Sequence, residues 1–469
     1  MTDTPFVSVI IVNYNGKYFL PACLDSLRNQ TYPESSFEVI MSDNASTDGS
    51  VDFVKDIYPW VSVLENKSNL GFAAGNNVAI ASSKGEFIVL LNNDTVPSPT
   101  WLDNLVKVAE DDPLAGIVTG RLHLFYDQLT LEFQSETFVP PGDGRELGIQ
   151  LYSIASETPF GVTQYIEGFY GYEPSSFGGT FRWTKSRAVL GVPVPLGSES
   201  WNVALQVAAF RPENQPVPLQ ISLRNKKTDG SDLIFSGSVS GAEPQTVHIE
   251  IPAALRSQSF PVLQNTGSIV FRDGASRDRG TYVRNYEVLY EIDTGQYGSV
   301  EEVFSGCGAN LLLSKNMLDE IGLFDDDFFM YYEDTDLSWR ARLAGWKVLY
   351  APDATVRHIH CGTTNEWSPF FLFLVERNRL AMVVKNGEIH QIVWTLSKYL
   401  GRTALNTIAA LRAFVFHQPN RHELARWPRH HARVLKGLLG WMPALFRKRR
   451  QVQNSRKISP SMLKPWFVE

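Results

Sequence analysis

Cysteine is scarce in this chain. Its 469 residues include three, Cys23, Cys307 and Cys361. They are too far apart for the paired spacings of a zinc site and too few for a disulfide framework, which fits a reducing cytosol. Long apolar runs are missing as well. No uninterrupted stretch of about 20 apolar residues occurs, so no spanning helix is expected. The chain reaches a β-like run at Val7 without a basic leader, so no signal peptide is expected either. Acid is nearly absent from the last fifth. From Arg377 onward 18 Lys and Arg face 3 Asp and Glu, a balance of +15, whereas the residues before it carry 25 against 47, a balance of −22. An acidic body with a basic tail directs the tail toward an acidic surface or a phosphate partner. No nucleic-acid partner is expected.

With 43% hydrophobic and 20% charged residues, the chain is globular and long enough for two or three domains. The first part alternates strands with helices. Val7–Val12 is a β-branched run of the kind that fills a buried parallel strand, and Asn13-Tyr14-Asn15-Gly16 closes it. Phe37–Met41 ends at Asp43-Asn44-Ala45-Ser46-Thr47-Asp48-Gly49. Val61–Leu64 leads to Asn69-Leu70-Gly71-Phe72-Ala73-Ala74-Gly75-Asn76-Asn77, and Glu86–Leu91 ends at Asn92-Asn93-Asp94. Helical periods such as Leu20, Leu24, Leu27 and Val51, Val54, Ile57 lie between them. This pattern predicts βαβ units and an open parallel sheet. Such sheets bind ligands at the carboxyl ends of their strands, where the polar clusters stand. Turn chemistry explains any one cluster; three on one rim point to a site.

From Gly168 to Tyr290 the helical period disappears. Short alternating segments such as Leu219–Leu223 and Thr246–Ile251 replace it, separated by Pro, Gly, Asn and Asp. They predict an antiparallel sandwich or jelly roll inserted into the first domain. The α/β pattern resumes near Glu301. From Pro369 the chain becomes helical, aromatic and basic, with Trp394, Leu400, Leu405 and Leu411 among Lys398, Arg402 and Arg412, then Arg447-Lys448-Arg449-Arg450. A basic amphipathic helix with tryptophans lies in a membrane interface or packs on the body. The expected pieces are 1–160, 161–291 (the insertion), 292–385 and 386–469 (the tail).

The most concentrated chemistry is Phe324–Arg340, where six carboxylates and six aromatic rings fall within seventeen residues. Leu337, Ala341 and Ala344 recur at helical spacing and Gly345 ends the run, so Glu333, Asp334 and Asp336 sit in or before a first helical turn. That is where exposed N–H groups favour negative charge. The stretch is a capped helix start, a reactive site, or both.

Together these segments resemble the inverting family 2 glycosyltransferases of GT-A fold. The resemblance covers about residues 6–165 and 292–385. It is carried by Val9–Asn15, Asp43–Ser50, Asn69–Asn77, Leu91–Asp94, Gly322–Asp325, Tyr332–Leu337 and His358, in family order. The chain is most similar to the rhamnosyltransferase-like subgroup that builds bacterial surface polysaccharides. The implied fold is a Rossmann-like, mostly parallel sheet carrying the inserted β domain and a helical tail. The implied reaction moves a sugar from a nucleoside diphosphate, of the dTDP-rhamnose or UDP-sugar type, to a hydroxyl of a growing, lipid-linked glycan. The implied place is the inner face of the bacterial cytoplasmic membrane, with the chain held peripherally on anionic lipid.

The resemblance also implies roles. A nucleotide base needs a flat partner and an acceptor for its imide N–H, which Tyr14 or Asn13 and Asp43 supply, with Asn44, Gly71, Asn76 and Asn93 on the same side. Where the family holds Mg2+ or Mn2+ on an Asp-x-Asp segment, this chain reads Asn92-Asn93-Asp94. Asp94 keeps the carboxylate, Asn92 replaces the first aspartate, and His358 completes the shell, with His360 second. Asp334 takes the position of the general base. Glu333 organises the site, and Asp336, Trp339 and Arg340 support it on the acceptor side, Asp336 pairing with Arg340 one turn on. A helix N-terminus lowers a carboxylate's pKa and burial raises it; the sequence leaves the winner open. In the inserted domain Phe169, Tyr170, Tyr172 and Trp183 stack on sugars or fill the core. Two rival readings are a non-catalytic nucleotide- or glycan-binding protein, motivated by Asn92, and a nucleotidyltransferase. The absence of a Gly-rich, Lys-bearing phosphate loop argues against the latter.

Overall fold

The computed structural model describes residues 4–159, 161–197, 199–225, 230–359, 368–418 and 421–469. The chain divides into two compact units. One comprises 1–122, 265–279 and 297–469, the other 123–264 and 280–296.

The first unit is built on a central sheet. Strands β1 (Val7–Asn13), β2 (Phe37–Asp43), β3 (Val61–Glu65) and β4 (Phe87–Leu91) run parallel in the order β3-β2-β1-β4. The runs of β1 and β4 are buried on both faces, as a parallel sheet covered by helices requires, whereas the edge strand β3 is partly exposed. Beyond β4 the direction changes. Strand Asn310–Ser314 pairs antiparallel with β4 and with β6 (Ala115–Leu124), and Lys347–His358 follows. The sheet is thus mostly parallel with an antiparallel extension, the mixed α/β architecture of GT-A proteins. Lys347–His358 is a single long strand. It pairs at one end with Glu301–Glu302 and at the other with β5 (Thr95–Pro97), so Pro352 falls between its two paired segments, where a missing N–H is tolerated.

Helices α1 (Leu20–Arg28), α2 (Ser50–Ile57), α3 (Gly71–Ser82) and α4 (Trp101–Asp111) connect the early strands. Later come α5 (Lys315–Ile321), α6 (Glu333–Leu343), α7 (Pro369–Asn386), α8 (Ile389–Val415), the short α9 (Arg421–Leu424) and α10 (Arg426–Ser455). The tail is not a separate piece. Met382 and Val383 of α7, Val452 of α10 and Leu463 share one buried cluster with Phe328 and Trp339. The last strand, Phe467–Val468, pairs parallel with Ser268–Phe271. No helix among the described residues is long and apolar enough to cross a membrane. Cys23 and Cys307 are free thiols, and Cys361 lies outside the described residues.

The second unit is an antiparallel sheet of eight strands. Its long strand Thr180–Pro193 pairs in turn with Gln164–Pro174, Gln150–Ser156 and Gln128–Ser135, with register shifts along the first of these. The unit begins at His123 rather than the expected 161, because Gln128–Ser135 already contributes Leu129, Leu131 and Phe133, at the spacing of a strand, to the core of this unit. Phe169 and Trp183 are buried core side chains, not a stacking platform. Tyr172 is exposed, but the Arg182 guanidinium covers its ring at 4.8 Å, and that of Tyr165 at 4.5 Å.

Candidate active site

The parallel register of β1 and β2 sets Asn13 beside Asp43 at their carboxyl ends. Asn13 Nδ2 donates to Asp43 Oδ1 at 2.8 Å, Ser46 Oγ donates to the same oxygen at 2.6 Å, and the Ser46 N–H donates to Asp43 Oδ2 at 2.8 Å. Three of the roughly four lone-pair sites of the carboxylate are used, which leaves one for a ligand. Asn93 Nδ2 donates to Asn13 Oδ1 at 2.8 Å, so the β1, β2 and β4 ends join in one network. Gly16 is indispensable to it: a Cβ there would lie 2.0 Å from Asn93 Nδ2. Tyr14 stands 46% exposed beside these buried groups. Asn44 is committed inward, its Nδ2 donating to the Gly71 carbonyl and its Oδ1 accepting from Asn66. Asn76 donates to the Phe72 carbonyl of its own helix. Gly71 faces protein: at φ +77°, its Cβ would lie 2.4 Å from the Phe329 carbonyl oxygen. Asn44, Asn76 and Gly71 therefore shape the rim from behind, whereas Asn13, Asp43 and Asn93 form it.

Strand Lys347–His358 pairs with β5 so that His358 faces Thr95, the residue after Asp94. His358 Nε2 lies 3.1 Å from Asp94 Oδ1, and both side chains are buried. Asp94 Oδ1 nevertheless accepts no aligned hydrogen bond. Adjacent ligands of an octahedral cation at about 2.1 Å stand about 3.0 Å apart, so this pair fits a hard divalent ion that takes its remaining ligands from water and phosphate. Asn92 Nδ2 lies 3.4 Å from the same ring nitrogen. Among the described residues no group of three or more His, Cys, Asp or Glu side chains forms a metal cage. His360 lies outside the described residues.

The acidic stretch approaches from the other side. Asp334 Oδ2 accepts the Gly308 N–H at 3.1 Å, and Asn92 N–H donates to the Ala309 carbonyl at 3.3 Å. One tight loop therefore contacts both Asp334 and the turn that carries Asp94. Burial raises the Asp334 pKa above its ordinary value, against the lowering pull of the Gly308 and Thr335 donors. Glu333 is pushed well above its ordinary value by burial and then by the Asp334 carboxylate, and its Oε2 accepts no hydrogen bond. Burial thus wins over the helix N-terminus.

The residues before α6 are strained. Phe329 (φ 65°, ψ −61°) is the centre of a positive-φ γ-turn, with Met330 N–H donating to the Phe328 carbonyl at 2.8 Å. Tyr331 and Tyr332 also have positive φ, 70° and 71°. Each such residue costs about 1–3 kcal/mol and persists only when its surroundings impose it. The Phe329 carbonyl accepts from Phe72 N–H at 2.7 Å and Ala73 N–H at 3.2 Å, the first donors of α3.

Beneath lies a buried ionic cluster. Asp336 accepts from Arg340 Nε at 2.9 Å, Lys385 Nζ at 2.8 Å and Asn386 Nδ2 at 2.8 Å. Lys385 also meets Asp325 at 2.7 Å, and Lys448 bonds Asp325 from α10. Burial alone would raise the Asp325 carboxyl; Lys385 and Lys448 hold it below its ordinary value. Asp336 and Arg340 are thus internal supports, and Trp339 is core, packed on Phe304 and Phe467. Sequence reasoning misses Gly16, Gly308, Lys385 and Asn378 as parts of the site. The one signal for the last two is a set of polar residues inside the apolar period of α7.

Residues 8–170 match the family described as Glycosyl transferase family 2, and residues 253–444 match Glycosyl transferase family group 2. The chain carries glycosyltransferase family 2 domains. Among curated relatives, Glycosyltransferase AglE of Haloferax volcanii is 36% identical over 130 residues, 27% of this chain and 42% of that protein. The Poly(ribitol-phosphate) beta-glucosyltransferase of Bacillus spizizenii is 40% identical over 92 residues, 19% of this chain and 14% of that one. Three of the relatives are matched over 42%, 34% and 49% of their own lengths, so this chain spans less than half of each. A solved structure, mannosyltransferase PcManGT from Pyrobaculum calidifontis in complex with GDP-Man and Mn2+, is 13% identical with a TM-score of 0.40, covering 93% of this chain and 87% of that one. Its overlap is too loose to transfer geometry. The rim of Asn13, Asp43, Asn93 and Asp94 falls within the first family 2 match, and Asp334 within the second.

Proposed function

We propose that this chain is an inverting, metal-assisted glycosyltransferase. It moves a sugar from a nucleoside-diphosphate donor, of the dTDP-rhamnose or UDP-sugar type, to a hydroxyl of a growing, lipid-linked bacterial surface glycan. The observation that carries the reading is the partly exposed Asp334 carboxylate, its pKa raised by desolvation, joined through Gly308 and Ala309 to the turn bearing Asp94. A carboxylate whose pKa is raised by desolvation accepts a proton more readily than an ordinary aspartate.

Asp43 and Asn13 receive the nucleotide base, with Tyr14 as its flat neighbour. Asp94 and His358 would hold Mg2+ or Mn2+, which when bound offsets the charge developing on the departing diphosphate. Asp334 takes the proton of the acceptor hydroxyl while that oxygen bonds to the anomeric carbon. The bond from this carbon to the phosphate oxygen breaks on the opposite face, and the configuration inverts. Glu333, its carboxyl pushed up by burial and by the neighbouring Asp334, resists placing a second negative charge beside the attacking oxygen.

Contact with an anionic membrane fits α8. It contains no Asp or Glu, carries Lys398, Arg402 and Arg412, and leaves Ile389, Val393, Leu400, Leu405, Ile408, Leu411 and Val415 exposed at helical spacing. The inner face of the cytoplasmic membrane is the matching location. Asp334→Asn tests the chemistry against a panel of nucleotide sugars. We expect transfer to fall by about 100-fold or more with nucleotide binding kept; full transfer by the folded variant overturns the assignment.

A further inference from the structure

Asn378 lies on α7, 44 residues beyond Asp334, and is fully buried, with 0% of its surface exposed. Its Nδ2 points into the strained turn before α6. It donates to the carbonyls of Phe328 at 3.0 Å, Met330 at 2.8 Å and Tyr331 at 2.8 Å. Its Oδ1 is fixed by Arg377, which donates from Nε at 2.9 Å and Nη2 at 2.7 Å. Arg377 Nη2 also reaches the Asp327 carbonyl at 3.1 Å. The amide is therefore oriented, with its donors set against carbonyls that the positive-φ turn has turned away from any helix or sheet partner. Without the amide the Phe328 carbonyl keeps the Met330 N–H, but the partly buried Met330 and Tyr331 carbonyls lose this donor, which favours release of the turn.

We infer that Asn378 is a positioning residue: its amide holds the 328–332 turn in its strained form and so fixes where Glu333 and Asp334 enter the site. The inference rests on the proposed role of Asp334. The path is short. The turn ends at Tyr332, whose carbonyl accepts the Asp336 N–H at 2.9 Å to begin α6, and Asp334 lies in that first helical turn. The same turn presents the Phe329 carbonyl to α3, so one side chain sets both the start of α6 and its approach to the nucleotide rim. No other side chain type of this size offers two donors and an acceptor in one plane. Aspartate has the shape but sets a carboxylate oxygen against the three carbonyls.

The test uses the full chain and the variant Asn378→Asp. Amide hydrogen exchange is followed across residues 328–336, with β1 and β4 as internal reference. Turnover and donor KM are measured with the nucleotide sugar that the wild-type chain uses fastest among UDP-glucose, UDP-N-acetylglucosamine, GDP-mannose and dTDP-rhamnose. The expected result is loss of protection confined to 328–336, a kcat lower by about 100-fold, the scale of a 1 Å misplacement, and an unchanged donor KM. Unchanged protection overturns the inference, as does lost protection with wild-type kcat. So does a uniform rise in exchange that includes β1 and β4, because Asn378 would then merely stabilise the fold. If Asn378→Asp gives no cooperative melt, Asn378→Ser, which retains one donor, is judged by the same criteria. If the wild-type chain turns over no donor, the transfer reading fails, and the exchange pattern alone still decides whether Asn378 holds the turn.

Discussion

Replacing Gly71 by alanine separates two costs that the structure makes measurable. At φ +77° an alanine pays about 1–2 kcal/mol for the left-handed conformation. The new Cβ would also stand 2.4 Å from the Phe329 carbonyl oxygen, against 3.4–4 Å for ordinary contact, so the turn must retreat by about 1 Å. That retreat stretches the two hydrogen bonds from Phe72 and Ala73 to this oxygen, each worth about 1 kcal/mol. Gly71→Ala should therefore cost about 3–4 kcal/mol. Gly345 supplies the control within the same unit. It has φ +89°, with no atom within 4 Å of where a Cβ would stand, so Gly345→Ala should cost only the conformational contribution of about 1–2 kcal/mol. Urea unfolding of both variants, read by tryptophan fluorescence, gives the difference directly. Turnover should fall by about 100-fold in Gly71→Ala alone, because a 1 Å displacement of the turn carries Asp334 with it. Equal destabilisation of the two variants, or wild-type turnover in Gly71→Ala, refutes the claim that this glycine exists to admit the Phe329 turn.

Glu333 gives a pH test. Burial and Asp334 raise its pKa well above its ordinary 4.5, so between that value and the raised one the folded state holds a proton the unfolded state has lost, and stability falls as pH rises. Glu333→Gln should match the wild type in denaturation at pH 4 and exceed it at pH 8; an unimproved variant at pH 8 contradicts the raised pKa. At the tail, the pair Leu405→Glu and Leu411→Glu should reduce cosedimentation with phosphatidylglycerol-containing vesicles while leaving transfer to a soluble acceptor intact. Undiminished cosedimentation would remove α8 as the membrane face.

Much of the first sheet is legible in sequence because parallel strands covered on both sides must be almost wholly apolar, as Phe87–Leu91 is and as Val7–Val12 is apart from Ser8. The rim is legible for a related reason. Asn13, Asp43 and Asp94 interrupt those runs where a strand must end, and the register then brings Asn13 and Asp43 side by side. The antiparallel placement of Asn310–Ser314 is not legible, since Leu311-Leu312-Leu313 reads the same in either direction. The start of the second unit is hidden because Gln128–Ser135 follows directly on a strand of the first, with no change in composition between them. Lys385 and Asn378 escape notice because their partners lie 47 to 60 residues upstream. Nothing in the local period of α7 distinguishes a polar side chain aimed at another element from one aimed at water. The pairing of the basic tail is hidden for the same reason. Net charge says nothing of pairing, and Lys448 is spent on Asp325 and Asp327.

The order in which the chain emerges gives the buried ionic cluster a temporal meaning. Asp325 and Asp336 are made first, and their partners Lys385 and Lys448 follow, the second 112 residues after Asp336. At about 5–20 residues per second, a ribosome needs roughly 6–22 s to cover that interval. During it the carboxylates repel one another, and the tyrosines of the turn have no α7 to hold them. The strand Ser268–Phe271 waits longer still, for Phe467 and Val468. The strand ends bearing Asn13, Asp43 and Asn93 therefore emerge well before the helices whose lysines pair with Asp325 and Asp336 beneath Asp334.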